Sequence, residues 1–207
     1  MEICLGADHR GYALKNRLKT VLIGMDCEVK DAGPLKYDPE DDYNVAAKAV
    51  CRWVAEAPAL RRGILICGSA HGMTMQANRF PTIRAANCAT PELVQLAREH
   101  NDCNVLCLPA DFVQPEDLAT MLKIFLTTPA LTGEKYARRA AALDADLAQR
   151  LGVTVDLDVV TLVHPHGKPV VVRIQDTEHC VPRHLALVFK LTALNVDRVD
   201  TVQGTVG

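Results

Sequence analysis

The first 150 residues alternate short apolar runs with segments of helical periodicity, and this alternation constrains the fold most strongly. Apolar runs typical of buried strands cover 2–7, 27–31, 63–67, 83–88 and 103–108. Helical spacing of apolar residues covers 11–23, 43–57, 72–79, 91–100, 114–127 and 133–149. Repeated strand–helix units predict an α/β domain at 1–150, with a five-stranded parallel sheet and helices on both faces.

The pattern changes near residue 151, and 151–207 are expected to form a small β-rich C-terminal extension. VTVDLDVVTLV alternates apolar and polar residues, HPHGKP is typical of a turn, and VVVRIQ resembles a returning strand. Four histidines lie in this extension: His164, His166, His179 and His184. His164 and His166 at the turn, with His179 and Cys180 on a nearby strand, could bind a transition metal, but their spacing matches no strong zinc signature, so no metal site is predicted. The extension is expected to hold subunits together or to cover a pocket.

Charge and cysteine content exclude several classes of function. The net charge of −2 gives no basic footprint for nucleic acid or for an anionic membrane. No apolar run approaches the roughly 18–20 residues of a membrane span, and MEICLGADHRGY lacks the features of a secretory signal. The eight cysteines include no CxxC pair. We therefore expect a cytoplasmic protein with mostly buried, reduced thiols.

Polar residues follow several of the predicted strands. Asp8 and His9 follow the first strand, Cys67 ends the third, and Asn87 lies at the end of the fourth. Ligands of parallel α/β sheets bind at the carboxyl ends of the strands. We therefore expect the functional groups to meet at that edge, although the fifth strand, followed by Pro109, offers no obvious group.

Cys67 is the residue that most requires an explanation. A phosphatase loop would need arginine where Met73 stands, a nucleotide P-loop would need a lysine after Gly72, and a dinucleotide loop would need glycine at Ala70. A packed structural cysteine remains an alternative. A thiol just before a helix N-terminus is expected to have a lowered pKa, and the loop 68–72 offers N–H donors to an anion. This combination suits removal of a proton beside a carbonyl through an enediolate.

Three segments resemble one family: GADHRGYALK, GILICGSAHGMTMQANRFPTIRAA and AREHNDCNVL occur in the order and spacing of the ribose-5-phosphate isomerase B and galactose-6-phosphate isomerase family. The resemblance covers roughly residues 1–149. It implies a Rossmann-like parallel sheet and aldose–ketose isomerisation of a sugar phosphate without metal or cofactor. It also implies a homodimer with shared active sites, with a tetramer as the larger alternative.

The resemblance assigns catalytic roles to four residues and a position near the reacting oxygens to a fifth. Cys67 matches the base that moves a proton between carbons 1 and 2, and Ser69 matches a residue that relays protons between oxygens. His100 matches the histidine that assists ring opening, and Asp8 the acid that works with it. Asn101 matches a residue near the reacting oxygens. Without the resemblance, His100 would be explained by the helix dipole and Asp8 by capping of the first helix.

The resemblance also assigns substrate-binding positions. The loop expected to hold the enediolate oxygen consists of Gly68, Ala70, His71 and Gly72, together with Ser69. His9 matches a phosphate-side histidine. GEKYARRAAAL resembles a phosphate clamp, with Lys135 at its first cationic position and Arg139 at its second. A solvated helix face is the structural alternative for these two cations.

Several positions depart from the family pattern and leave the substrate open. Ala70 replaces a glycine, which restricts the backbone if the position needs a positive φ. Lys135 replaces an arginine, and Asp111 lies where an arginine is frequent. Ribose 5-phosphate is the expected substrate; galactose 6-phosphate, or another tetrose, pentose or hexose phosphate, is the alternative. A non-catalytic sugar-phosphate-binding subunit is the alternative from a different class.

Overall fold

The computed structural model describes residues 1–150, 153–156, 159–163 and 169–173. Five strands form the main sheet: β1 (Glu2–Ala7), β2 (Glu28–Asp31), β3 (Arg61–Cys67), β4 (Ala85–Asn87) and β5 (Val105–Pro109). Six helices accompany them: α1 (Tyr12–Gly24), α2 (Tyr43–Glu56), α3 (His71–Ala77), α4 (Pro91–Asn101), α5 (Leu118–Thr127) and α6 (Glu134–Arg150). The order of elements agrees with the predicted alternation.

The main sheet is parallel throughout and has the order β2-β1-β3-β5-β4. Strand β3 is central, and its neighbours are β1 and β5. Ala7 pairs with Ile66, and Cys67 pairs with Pro109, so these three strands end at nearly the same level. The loops that follow β1, β3 and β5 therefore emerge side by side at one edge of the sheet.

Apolar side chains from both faces of the sheet are buried, which confirms the prediction of helices on both sides. Successive side chains of a strand point to opposite faces. Ile64 and Ile66 of β3 pack in one cluster with residues of α1, α4 and α5. Leu65, from the same strand, packs in a second cluster with residues of α2 and α3. The continuous apolar sequence of β3 follows from burial on both faces.

Some boundaries differ from the sequence-based expectation. The fourth strand, expected over 83–88, covers only Ala85–Asn87 because the chain before it turns: Thr82 has φ 64°, and Ile83 N–H donates to the Phe80 carbonyl. The fifth helix, expected from residue 114, begins at Leu118. The N–H of Asp117 instead closes a turn on the carbonyl of Gln114.

The described part of the extension consists of three antiparallel strands in the order β6-β7-β8: Val153–Asp156, Val159–Val163 and Pro169–Arg173. These strands confirm the β-rich character expected for the beginning of the extension. The division into 1–150 and 151–207 stays a prediction. The four histidines of the extension lie outside the described residues. Within the described residues, no helix is long and apolar enough to cross a membrane.

Candidate active site

The functional residues expected after β1 and β3 meet at the carboxyl edge of the sheet. Asp8 directly follows β1 and is buried, and Cys67 is the last residue of β3 and is half-buried. The carboxylate of Asp8 acts on the Cys67 thiol and raises the pKa of that thiol. The structure therefore brings together the two residues that the sequence separates by 58 intervening positions.

The environment of Cys67 raises the pKa of its thiol to about 11. Burial is the largest cause, followed by the hydrogen bond to Asp8 and the negative charge of that carboxylate. Backbone N–H groups of Ala70 and Ser69 act in the opposite direction and favour the thiolate. The expectation of a lowered pKa is therefore wrong, because burial and Asp8 outweigh the donors of the loop.

The loop between β1 and α1 holds Asp8 in place. Its Oδ1 accepts a hydrogen bond of 2.9 Å from the N–H of Gly11, and its own N–H donates to the carbonyl of Ile66 at 3.2 Å. Gly11 lies so close to β3 that a Cβ there would be 2.6 Å from the carbonyl carbon of Ile66. A glycine is needed at this point because any side chain would push the loop, and with it Asp8, away from Cys67.

The loop after β3 turns sharply at Ala70, which has φ 60° and ψ 0° and is fully buried. The sequence suggested that alanine would be restrictive if this position required a positive φ, and the structure shows that it does. The Ala70 carbonyl accepts hydrogen bonds from the N–H and the hydroxyl of Thr74, which ties the turn to α3. Ala70 thus adopts a left-handed conformation that ordinarily favours glycine.

The remaining residues of the loop differ in exposure. Ser69 is half-buried, and its carbonyl accepts a hydrogen bond of 3.0 Å from the side-chain amide of Asn87 at the end of β4. His71 is the first residue of α3 and is exposed. Gly72 lies against the ring of Tyr43: a Cβ at residue 72 would be 2.6 Å from Cζ of that ring. Asn87 and Tyr43 therefore support the loop from two sides.

His9 extends from the same β1–α1 loop toward the segment before α2. Its Nδ1 lies 2.8 Å from Oδ1 of Asp41, and its backbone N–H donates to the same oxygen at 2.9 Å. Asp41 was not predicted from the sequence, although the acidic run PEDDY indicates that carboxylates precede α2. Asp41 fixes both the backbone and the ring of His9.

The other expected site residues do not reach Cys67 within one chain. His100 lies in the last turn of α4, just before β5 begins at Val105. Val105, at the start of β5, pairs with Gly63, whereas Cys67 pairs with Pro109, at the end of β5. The start of β5 and the position of Cys67 are therefore four residues, or about 13 Å, apart along the strands. His100 therefore lies toward the opposite edge of the sheet from Cys67.

A second cluster forms around His100. Its ring stacks on that of Tyr136 in α6, with centroids 4.9 Å apart and planes at 16°. Lys135 and Arg139 lie on the same helix and are exposed, and Asn101 is exposed beside His100. The expected site residues thus fall into two groups at opposite edges of the sheet.

An ion pair that was not predicted from the sequence lies at the carboxyl edge of the sheet. Arg10, in the β1–α1 loop, pairs with Asp111, in the loop after β5, and the pair lies against Gly68. In the sequence, Asp111 is only a departure from the family pattern, and the fifth strand is followed by Pro109 and Ala110. The sequence does contain a signal for this pair. Arg10 follows β1, Asp111 follows β5, and these two strands flank β3.

Among the described residues, no group of three or more His, Cys, Asp or Glu side chains is arranged to hold a metal ion. The absence of a required metal or cofactor stays a prediction.

Comparison with known proteins assigns the chain to a family. A model of the family described as ribose/galactose isomerase matches residues 3–143. The chain is 34% identical to ribose-5-phosphate isomerase B from Mycobacterium tuberculosis over 140 residues, which are 67% of this chain and 85% of that protein. It is 35% identical to ribose-5-phosphate isomerase B from Escherichia coli over 144 residues, or 70% of this chain and 95% of that protein.

Solved structures show the same fold. Ribose-5-phosphate isomerase B from Mycoplasma genitalium, crystallised with bound ribulose 5-phosphate, has a TM-score of 0.67 and 32% identity, covering 70% of this chain and 95% of that one. The enzyme from Thermotoga maritima has a TM-score of 0.65 and 36% identity, covering 70% and 97%. The chain is therefore a member of the ribose/galactose isomerase family.

Proposed function

We propose that this protein is an aldose–ketose isomerase that interconverts ribose 5-phosphate and ribulose 5-phosphate. Family membership supports the reaction type, and the relatives that carry the name ribose-5-phosphate isomerase B support the substrate. The single observation that carries the proposal is the placement of Cys67 and Asp8 at the adjacent ends of β3 and β1, beside the loop 68–72. It places a proton donor–acceptor pair next to backbone donors suited to an oxyanion.

In the proposed mechanism, Cys67 as thiolate removes the proton from carbon 2 of the open-chain aldose and returns it to carbon 1. The electron pair of the broken C–H bond forms the enediolate, whose negative oxygen accepts hydrogen bonds from N–H groups of the loop 68–72. Ser69 relays the proton between the two oxygens. Asp8 works with His100 in opening the sugar ring, and Asn101 lies near the reacting oxygens.

The raised pKa of Cys67 imposes a condition on this mechanism. A thiol with a pKa of about 11 is almost entirely protonated near neutral pH, so Cys67 must form its thiolate in the assembled site rather than in the isolated chain. One chain places the residues expected to act with Cys67, His100 and Asn101, at the other edge of the sheet. A second copy of the chain is therefore proposed to supply them.

The proposed assembly is a homodimer in which His100, Asn101, Lys135 and Arg139 of the partner subunit complete the site around Cys67. Lys135 and Arg139 of the partner subunit would bind the phosphate together with His9. The two-edge distribution of these residues supports a shared site, since it makes one chain incomplete. A tetramer is the larger alternative implied by the family resemblance.

A cytoplasmic location is also proposed. All seven described cysteines are free thiols, and five of them lie in the two core clusters of the sheet and are fully or almost fully buried: Cys4, Cys51, Cys88, Cys103 and Cys107. Reduced thiols are typical of proteins in a reducing compartment.

Galactose 6-phosphate is the second candidate substrate, because the family model covers both isomerase types. The departures at Lys135 and Asp111 lie at cationic positions of the family pattern and thus bear on substrate choice rather than on the reaction.

The test is an isomerisation assay on a panel of tetrose, pentose and hexose phosphates, with Cys67→Ala and Cys27→Ala compared. Ribose 5-phosphate is expected to be turned over fastest. Cys67→Ala should lower kcat by several orders of magnitude while sugar-phosphate binding survives, because only the base is lost. Cys27 lies just before β2, so Cys27→Ala should keep full activity. Normal turnover by Cys67→Ala would show that the assigned base is wrong, and binding without turnover by the unmodified protein would favour a non-catalytic subunit.

A further inference from the structure

The Arg10–Asp111 pair crosses the top of the central strand. Arg10 comes from the loop after β1 and Asp111 from the loop after β5, and these two strands flank β3. A Cβ added to Gly68 would lie 2.6 Å from Nε of Arg10 and 2.9 Å from Oδ2 of Asp111. The guanidinium therefore lies directly on the backbone that follows Cys67, and the absence of a side chain at residue 68 makes room for it.

The two members of the pair are held differently. The backbone N–H of Asp111 donates to the carbonyl of Gly68 at 3.1 Å, so the loop that carries the carboxylate is anchored to the loop 68–72. Arg10 is tied through one terminal nitrogen, and its side chain is 58% exposed. A guanidinium has five N–H donors, so Arg10 keeps several donors available at the mouth of the site.

Such a pair contributes little to folding, because ion pairs in contact with solvent are weak. Its position is more informative than its strength. Cys67 and Asp8 lie at the buried end of the site, where carbons 1 and 2 must react. The phosphate is attached to carbon 5, at the other end of the sugar chain, and therefore extends toward the exposed mouth. Arg10 is a cation on this exposed side of Gly68, next in sequence to His9.

We infer that Arg10 binds the phosphate group of the substrate and that Asp111 positions Arg10 over Gly68 while moderating its attraction for the anion; this inference rests on the proposed function. A phosphate dianion can accept two parallel hydrogen bonds from a guanidinium, which a lysine at position 135 does not offer. Arg10 thus provides bidentate phosphate recognition from the same chain as Cys67. The carboxylate of Asp111 competes with the phosphate for the guanidinium.

The two residues are therefore expected to affect KM in opposite directions. Arg10→Gln should raise KM for ribose 5-phosphate about tenfold, because a charged hydrogen bond to phosphate is lost, with kcat within about twofold. Arg10→Lys should lie between this variant and the unmodified protein. Asp111→Asn should lower KM by up to about fivefold, since the competing carboxylate is removed while the amide still reaches Arg10.

The control for general loss of positive charge is Arg52→Gln. Arg52 is exposed near the C-terminal end of α2, toward the opposite edge of the sheet. This variant should leave KM and kcat unchanged. The inference is overturned if Arg10→Gln and Asp111→Asn shift KM in the same direction or not at all, as a merely structural pair would. It is also overturned if Arg10→Gln lowers kcat with KM unchanged, which would place Arg10 at the enediolate.

A binding measurement separates this inference from the proposed function. The dissociation constant of inorganic phosphate, measured by calorimetry, should rise in Arg10→Gln and fall in Asp111→Asn whether or not the protein turns over ribose 5-phosphate. If the unmodified protein binds phosphate but isomerises no sugar, the proposed function fails and the role of Arg10 stands. If the phosphate affinity of Arg10→Gln equals that of the unmodified protein, the role of Arg10 fails, whatever the activity.

Discussion

The carboxylate of Asp8, directly after β1, acts on the thiol of Cys67 at the end of the adjacent strand β3 and contributes to raising the pKa of that thiol to about 11. The relationship has two consequences for a cysteine base. It stabilises the protonated thiol in the isolated chain, and it gives the thiol proton an acceptor. Replacing Asp8 by Asn removes the negative charge. The amide oxygen of Asn can still accept the hydrogen bond from the Gly11 N–H, so the position of the loop is retained.

Asp8→Asn is expected to lower the pKa of Cys67 by about one unit, because the negative charge and its hydrogen bond both favour the protonated thiol. Burial is the larger cause and persists, so the pKa stays above 9.0, the ordinary value. The measurement is a pH titration of thiolate absorbance, taken as the difference between each protein and its Cys67→Ala counterpart. Glu56→Gln, which removes a carboxylate near the opposite edge, is the control and should leave the titration unchanged. A higher pKa in Asp8→Asn would contradict the assigned contact.

Alkaline pH is expected to destabilise the fold through its buried thiols. Burial raises the pKa of Cys4, Cys51 and Cys88 to about 12, against an ordinary value of 9.0. The stabilisation is complete below pH 9.0 and is lost as pH rises toward 12, because only the unfolded chain ionises these thiols in that window. The free energy of unfolding should fall by roughly 1 kcal/mol per buried thiol and per pH unit above 9.

Denaturant unfolding on either side of pH 9 measures this loss. Cys51→Ala serves as the matched variant: it removes one buried thiol from α2, so the slope of the unfolding free energy against pH should become shallower by the share of one thiol. An identical slope in Cys51→Ala and the unmodified protein would show that Cys51 does not ionise on unfolding.

The sequence was sufficient to predict the alternation of strands and helices, because burial on both faces leaves continuous apolar runs such as that of β3. It also placed Cys67 and Asp8 at the edge where they meet. The direction of the Cys67 pKa could not be predicted, since it depends on how deeply the thiol is buried and on which charge contacts it. The Arg10–Asp111 pair joins residues 101 positions apart and depends on the order β1-β3-β5, which local periodicity does not determine.

Ala70→Gly is expected to change the free energy of unfolding by less than about 1 kcal/mol. The substitution stabilises the folded state because glycine adopts the left-handed conformation at φ 60° without strain. For a residue with a Cβ this conformation is unfavourable by about 1–2 kcal/mol. The losses are burial of one methyl group, about 0.8 kcal/mol, and the greater backbone entropy of glycine in the unfolded chain, about 0.5–1 kcal/mol.

Ala47→Gly is the matched control, because Ala47 is also fully buried but lies inside α2 with helical backbone angles. Ala47→Gly also loses a buried methyl group and gains backbone entropy in the unfolded chain, but it relieves no left-handed conformation. The free energy of unfolding should therefore fall by about 2 kcal/mol. Denaturant unfolding of both variants gives the difference. Equal destabilisation by Ala70→Gly and Ala47→Gly would contradict the left-handed conformation of Ala70.

Mixed assembly tests whether His100 of one subunit serves Cys67 of another. Cys67→Ala and His100→Asn should each be nearly inactive as pure proteins, but when they are dissociated together and reassembled, activity should return to about a quarter of the unmodified level. Half of the randomly formed dimers are mixed, and each mixed dimer contains one intact site and one site with both changes.

Mixing Cys67→Ala with Asp8→Ala should restore nothing, because both changes lie at the carboxyl edge of their own chain and every site is damaged. Recovery that occurs in neither mixture would place a complete site within one chain, and the separation of His100 from Cys67 along β3 and β5 would then have to be bridged by movement of α4.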